Sequence, residues 1–316
     1  MIRIVFTVVL LLTSVPAAAQ RWEFQNNFWV NLHQTLLAAA QRDLDIPIPE
    51  EDRKQWISAV NSYRMRFAAR VPWVDEELIR VNDALSSSAD VPSPTAGPEV
   101  TAVLTAAAPI YRQRLWPADD RANRFWINVA RTLVAEAGEE LAAEHARIYG
   151  SPYPQRVRVD VAPYAGENGA YTTTSNGLVH TTISSREPAY QGFAALEMLL
   201  HEGSHAMVGP TAGAIGPQIN ADAQTAGLLA PRQLWHAVLF YTSGELTKRA
   251  LRARGVSDYV PFAYRGQLYD RAFRGLQRPL ETHWQQYLNG GLTRDEAIAN
   301  LVQATGIPPI PRVPGR

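Results

Sequence analysis

The chain has 316 residues, with 30 Lys plus Arg against 30 Asp plus Glu and no cysteine. A balanced charge without a basic tract argues against nucleic acid or anionic lipid as the partner. Without cysteine there are no disulfides and no lipid on a Cys, so any metal must be held by His, Asp or Glu.

Residues 1–20 read as a secretory signal: Arg3 gives the positive start, Ile4–Val15 is mostly apolar and too short to span a bilayer, and Pro16–Ala19 offers small residues for cleavage near Ala19 or Gln20. A bacterial protein of the periplasm or secreted from the cell is expected, with no stable membrane insertion after cleavage. The mature part, just under 300 residues, can form one large core or two closely packed lobes.

Residues 22–42 read as a helix, with Phe28, Trp29, Leu32, Leu36 and Leu37 at helical spacing. Ile46-Pro-Ile-Pro49 ends it. A second helix is expected from Glu50 to Ala69 and a short one from Asp75 to Leu85. Residues 86–98, rich in Ser and Pro, read as a loop or linker. Asn26, Phe28, Trp29, Asn31, Thr35 and Leu36 recur 97 residues later as Asn123, Phe125, Trp126, Asn128, Thr132 and Leu133. Two readings stand: a duplicated helical unit, or two amphipathic helices converging on aromatic anchors. The second copy runs on as a long helix to Tyr149, and Gly150 and Pro152 stop it.

The texture then changes. Arg156–Val161 alternates polar and apolar, and Tyr171–Thr174 and Leu178–Ser184 are rich in β-branched residues; all three read as strands. Asn176-Gly177 makes the tight turn between the last two. His180 reads as a solvent-facing strand residue, with substrate contact as the alternative. The next helix is expected to open near Pro188.

That helix carries His201-Glu202-Gly203-Ser204-His205, an H-E-x-x-H motif behind the apolar run Phe193–Leu200. Residues four apart lie one turn above each other, so two imidazoles can close on one zinc ion from the same side. Glu202 then sits beside a metal-bound water and can take its proton. The bland alternative is a solvated His pair, but the apolar approach implies burial, and buried unpaired His and Glu are costly. One Zn2+ per chain is expected.

Later segments are helical: the apolar run Leu234–Leu246, residues 267–288, and a last helix opened by the capping box Thr293-Arg-Asp-Glu296. Pro308-Pro-Ile-Pro311 reads as an extended tail. The fold class expected is α+β, predominantly helical, with a small sheet beside the motif helix. The expected organisation is a signal peptide at 1–20, a helical N-terminal region at 21–150, the sheet-and-motif region at 151–307 and a Pro-rich tail at 308–316.

A small sheet followed by an H-E-x-x-H helix resembles the zincin metallopeptidases, over about residues 156–265. The resemblance implies a zinc-dependent peptidase in which Glu202 is the general base and a peptide or protein is the substrate. It implies that the strand before the helix, Leu178–Ser184, lies at the sheet edge and adds a substrate strand. It also implies a third ligand. The metzincin pattern fails, because Val208 and Thr211 hold its glycine and histidine positions. The gluzincin arrangement carries over to Glu245, an isolated carboxylate in an apolar run, with His236 and Asp222 as rivals. His236 lies nine residues before Glu245 and so on the opposite face of one helix. The oxyanion donor carries over to Tyr264 with Arg265, with Tyr241 and Tyr259 as alternatives. Outside this class, a zinc-stabilised binding or assembly protein that never turns over fits the same motif.

Overall fold

The computed structural model describes residues 21–309 except Asn176. The chain is mostly helical with one small mixed sheet, as its composition pattern predicts. The signal-peptide reading at 1–20 and most of the Pro-rich tail lie outside the described residues.

The segment expected to open as a helix at residue 22 begins instead as a strand, β1 (Trp22–Gln25). Trp22 and Phe24 are buried and Gln25 exposed, a period of two over a stretch too short to show it in sequence. The Asn27 side chain then caps α1 (Phe28–Arg42) by accepting from the amides of Trp29 and Val30. Helices α2 (Glu50–Phe67), α3 (Glu76–Ser86), α4 (Pro98–Arg114) and α5 (Trp116–Tyr149) follow. The loop between α3 and α4 is held to α1: Asn27 donates to the Ser88 carbonyl at 2.6 Å, and the Trp29 indole to that of Ala89 at 3.0 Å.

Strands β2 (Val157–Ala162), β3 (Ala170–Ser175) and β4 (Leu178–Ser184) complete the sheet in the order β1-β2-β4-β3. β1 and β4 run parallel to β2, and β3 runs antiparallel to β4. Gly177, at φ 76°, supplies the left-handed residue of the β3–β4 turn. β4 is therefore an interior strand. The edge expected at Leu178–Ser184 belongs to β3, because β4 pairs with β2 as well as with its hairpin partner.

After β4, a short turn of helix at Pro188–Tyr190 and Gly192 at φ 59° redirect the chain, so the motif helix α6 (Phe193–Ser204) starts later than Pro188. Helices α7 (Ile215–Thr225) and α8 (Leu234–Ala253) follow. The single helix expected over 267–288 is broken: a turn at Leu268–Arg271 and Gly275 at φ 77° precede a run from Gln277 to Leu288 with a π-helical turn at Leu280–Trp284. The capping box at Thr293 and Glu296 forms and opens the last helix, Arg294–Thr305.

Apolar side chains gather in two cores. One lies among α1 to α4. The other joins the sheet to α5, α6, α7, α8 and the C-terminal helices. The texture change near residue 150 does not mark their division, since α5 and β1 pack in the second core. The two cores meet through buried polar groups. Asn31 of α1 donates to the Val161 carbonyl at 3.0 Å, Gln34 to the Tyr171 hydroxyl at 2.8 Å, and Asn82 of α3 to the Thr182 hydroxyl at 3.2 Å. The 97-residue echo falls on segments in unlike surroundings: α1 is buried almost all round, whereas Phe125 on α5 is exposed. Asn26 and Asn123 touch each other directly, at 2.7 Å.

Candidate metal centre

Helix α6 is buried from Ala194 to Ser204, between the sheet, α5 and α8. Its last turn carries the motif. Gly203 is needed there for a packing reason: a Cβ would meet the Tyr153 hydroxyl at 2.0 Å, and that hydroxyl reaches the Leu200 carbonyl at 3.2 Å. His205 follows the last helical residue with helical dihedrals, φ −59° and ψ −23°, so the i, i+4 spacing of the two histidines holds. Their ring centroids are 4.9 Å apart.

The third member comes from α8, which runs antiparallel to α6. His236 lies 5.2 Å from His205 by ring centroids, Phe240 stacks on His201 at 3.8 Å, and Gly244 sits against Glu197. His201, His205 and His236 offer ligand nitrogens that all lie within 4.8 Å of one another.

Glu245 is not part of this group. It lies nine residues beyond His236, hence roughly 13 Å further along the helix axis and on the opposite face. Its carboxylate lies 3.7 Å from the Lys248 ammonium instead. Asp222, on α7, is outside the group as well. Of the three candidates for third ligand, the geometry selects His236. The signal was present in the sequence: His236 and Phe240 share a face, and that face meets the motif when two antiparallel helices pack.

The electrostatics suit a metal. Burial pushes the His201 imidazole well below its ordinary pKa, His205 down to about 4 and His236 down to about 3. All three rings are then neutral at pH 7, with a lone pair free to ligate. Two buried ring nitrogens, Nδ1 of His201 and Nε2 of His236, have no hydrogen-bond partner among the described residues. Leaving each unsatisfied costs about 1–3 kcal/mol. Three imidazoles without thiolates fit zinc better than calcium or magnesium.

Glu202, the residue after His201, is buried. Burial raises its carboxyl pKa to about 7, against the pull of a hydrogen bond from Thr172. The Thr172 hydroxyl, on β3, donates to Glu202 Oε2 at 2.8 Å and lies 2.9 Å from the Thr181 hydroxyl on β4. Thr181 is therefore the donor to Thr172, and Glu202 is fixed through two strands. Neither threonine stands out in the sequence, since threonine in a strand is ordinary.

Glu197, one turn before His201, was also missed. It is fully buried, and accepts from the Tyr259 hydroxyl at 2.5 Å and from the Phe262 amide at 3.0 Å. Burial raises its pKa to about 7, and those two hydrogen bonds oppose the rise. It ties the 259–262 segment to α6. Phe262 in turn stacks on Phe240 at 5.7 Å, and Phe240 stacks on His201.

The expected oxyanion donors are engaged elsewhere. Tyr264 donates to Glu281 at 3.0 Å, Tyr241 to Gln285 at 2.7 Å, and Tyr259 to Glu197. Ring contacts run from Tyr264 to Tyr269 to Phe273 to His236, so two aromatic side chains intervene between Tyr264 and the triad. Arg265 donates to the Ala189 carbonyl at 2.7 Å. His180 is not at the surface: it is 1% exposed, between Asp160 at 2.5 Å and Asp83 at 2.8 Å. No protein-family model, no curated protein and no solved structure matches the chain.

Proposed function

We propose that this protein is a zinc-dependent hydrolase of peptide bonds, with His201, His205 and His236 as the metal ligands and Glu202 as the general base. The observation that carries the reading is the convergence of three neutral imidazoles, two of them with a buried ring nitrogen that lacks a partner among the described residues, with the carboxylate of the same motif anchored by Thr172. The ligand group has three members, which leaves a tetrahedral ion one position open, as catalytic zinc requires and structural zinc does not.

When bound, zinc supplies a Lewis acid that lowers the pKa of a water molecule towards neutrality. Glu202, held by Thr172, accepts the proton of the attacking water and can return it to the leaving amine. The phenyl ring of Phe240 backs His201 and keeps water from that side.

A peptide substrate is favoured by the sheet. β3 pairs with β4 on one side, and among the described residues no strand covers its other side. An extended peptide can add there through main-chain hydrogen bonds. Thr172 lies on β3 and holds Glu202, so such a peptide would run beside the base. Export through residues 1–20 belongs to the same proposal.

The test is Glu202→Gln. The variant should keep its zinc and its fold and lose hydrolysis by about 10²–10⁴-fold. If the wild type, loaded with zinc, cleaves nothing in a broad peptide library, the zinc-stabilised binding protein is the better reading.

A further inference from the structure

The reading above leaves unused a cleft of about 380 Å³ next to the triad. It lies between the loop at Pro210 and Thr211, helix α7, and the segment Ala230–Trp235 that leads into α8. Gly216 lets these walls close: a Cβ there would come within 1.9 Å of the Gly209 carbonyl oxygen. Trp235 is the wall shared with the metal centre. It lines the cleft, stacks on His236 at 4.8 Å and meets His205 edge-on at 5.8 Å. Whatever fills the cleft is therefore separated from two of the three histidines by one indole ring.

The lining has a marked chemistry. It contains no carboxylate. Four of its lining residues carry a side-chain donor: the guanidinium of Arg232, the amide of Gln233, the hydroxyl of Thr211 and the indole N–H of Trp235. None of the four makes a hydrogen bond or ion pair with another side chain or the backbone among the described residues. Asn220 is the exception, donating to the Pro210 carbonyl at 3.0 Å. A recess lined by one arginine and further donor-bearing residues, with no acid among its lining residues, is complementary to an acceptor-rich anion. The planar fork of arginine matches a carboxylate with two parallel hydrogen bonds.

We infer that this cleft is the subsite that receives a carboxylate of the substrate, with Arg232 as its counter-ion and Trp235 as the wall that sets its distance from the metal centre. The carboxylate can be the C-terminus of a peptide or the side chain of an internal acidic residue. The first would make the protein an enzyme that trims peptide ends, the second one that cuts beside Asp or Glu. The inference rests on the hydrolase reading for its place in catalysis, but carboxylate binding can be read without any turnover.

The experiment has two arms. In the first, the metal-free protein is titrated calorimetrically with N-acetylalanine, N-acetylglutamate α-amide and the neutral N-acetylalanine amide. One or both carboxylates should bind and the neutral amide should not, and Arg232→Ala should weaken the binding by about 10-fold or more, the loss of a charge-assisted pair. Which carboxylate binds distinguishes the two sources. In the second arm, zinc-loaded protein is given peptides with free or amidated C-termini and with Glu or Gln inside. The wild type should prefer the acidic member of a pair, and Arg232→Ala should erase the preference. Equal binding of acidic and neutral probes, or a preference that survives Arg232→Ala, overturns the subsite while leaving the hydrolase intact. Carboxylate binding that depends on Arg232 in a protein that cleaves no peptide supports the anion site and counts against the hydrolase.

Discussion

Two regions of this molecule bury histidine and resolve its cost in opposite ways. His180, on β4, is 1% exposed and sits between two carboxylates. Burial alone would push its imidazole down; the hydrogen bond and charge of Asp160, followed by those of Asp83, reverse this and raise it to about 9. Asp83 shows the other half of the bargain. Burial opposes its ionisation, yet hydrogen bonds from His180 and from Ser175 hold its carboxyl below the ordinary range. His201 is as deeply buried, but its neighbours are two more histidines and Phe240. Among the described residues no carboxylate pairs with the triad, and the buried ring nitrogens of His201 and His236 are left without partners. A satisfied histidine is complete within the chain, whereas an unsatisfied cluster is complete only with something added. That difference separates the ion pair at His180 from the histidine triad, the candidate metal centre.

The sharpest way to break the comparison is to remove one histidine from the triad. His236→Ala should lower zinc affinity by more than the roughly 100-fold that loss of an outer partner causes. Glu245→Ala should leave zinc affinity near that of the wild type, because its carboxylate faces Lys248. Zinc titrations on both variants, read beside circular dichroism, decide the matter. Loss of zinc in Glu245→Ala with retention in His236→Ala would restore the glutamate ligand and discard the triad.

A smaller effect is expected from the other region, and it concerns pH. His180 has a folded pKa above its unfolded one, so its contribution to stability is full below about pH 6.5 and disappears as pH rises towards 9. The contribution at stake is about 3 kcal/mol. Urea midpoints measured from pH 6 to pH 10 should therefore fall more steeply for the wild type than for His180→Gln. Parallel pH profiles for the two proteins would mean that His180 carries no proton in the folded state. Arg158 also reaches Asp160, at 3.3 Å, so this carboxylate keeps one cation when His180 is removed.

The His201–His205 pair with Glu202 was legible in the sequence as far as local geometry extends. Two histidines and a glutamate in H-E-x-x-H need only the pitch of one helix. The third ligand depends on which residue of α8 faces α6, and an isolated carboxylate in an apolar run, Glu245, was the wrong cue. A charged residue at the flank of a buried helix can reach solvent and a lysine one turn away, which is what Glu245 does. The histidine at the start of the same helix instead faces His201 and His205. The strands were legible from alternation, but their order was not. β1 lies 132 residues from its partner β2, and the cross-strand bond from Val157 to the Arg21 carbonyl that starts the pair leaves no trace in local pattern. Helix α4 was also invisible, since Pro109 and the Thr- and Ala-rich stretch around it give no clear period. Pro109 lies inside the helix, and Leu104, Ala107 and Tyr111 are nevertheless buried.

The least expected effect is the most informative about how the site is held. Thr172 touches no ligand of the triad; it acts through Glu202, as a positioning residue on the edge strand. Its hydroxyl accepts from Thr181 and donates to the carboxylate, so Thr172→Val removes one link from a chain of two. Shape is nearly conserved and the side chain is partly buried, so stability should change by no more than about 1 kcal/mol. Zinc content should not change at all. What should fall is kcat, by about 10-fold, because a carboxylate free to rotate spends less time aligned with the water it must deprotonate. KM should remain as it was, since the main chain of β3 keeps its position. Thr172→Ser, which retains the hydroxyl, should recover most of the loss. A purely structural role would instead lower stability in both variants and leave the activity of the folded fraction intact. Equal activity of Thr172→Val and the wild type would mean that burial on α6 alone orients Glu202, and that the link between sheet and motif helix serves packing.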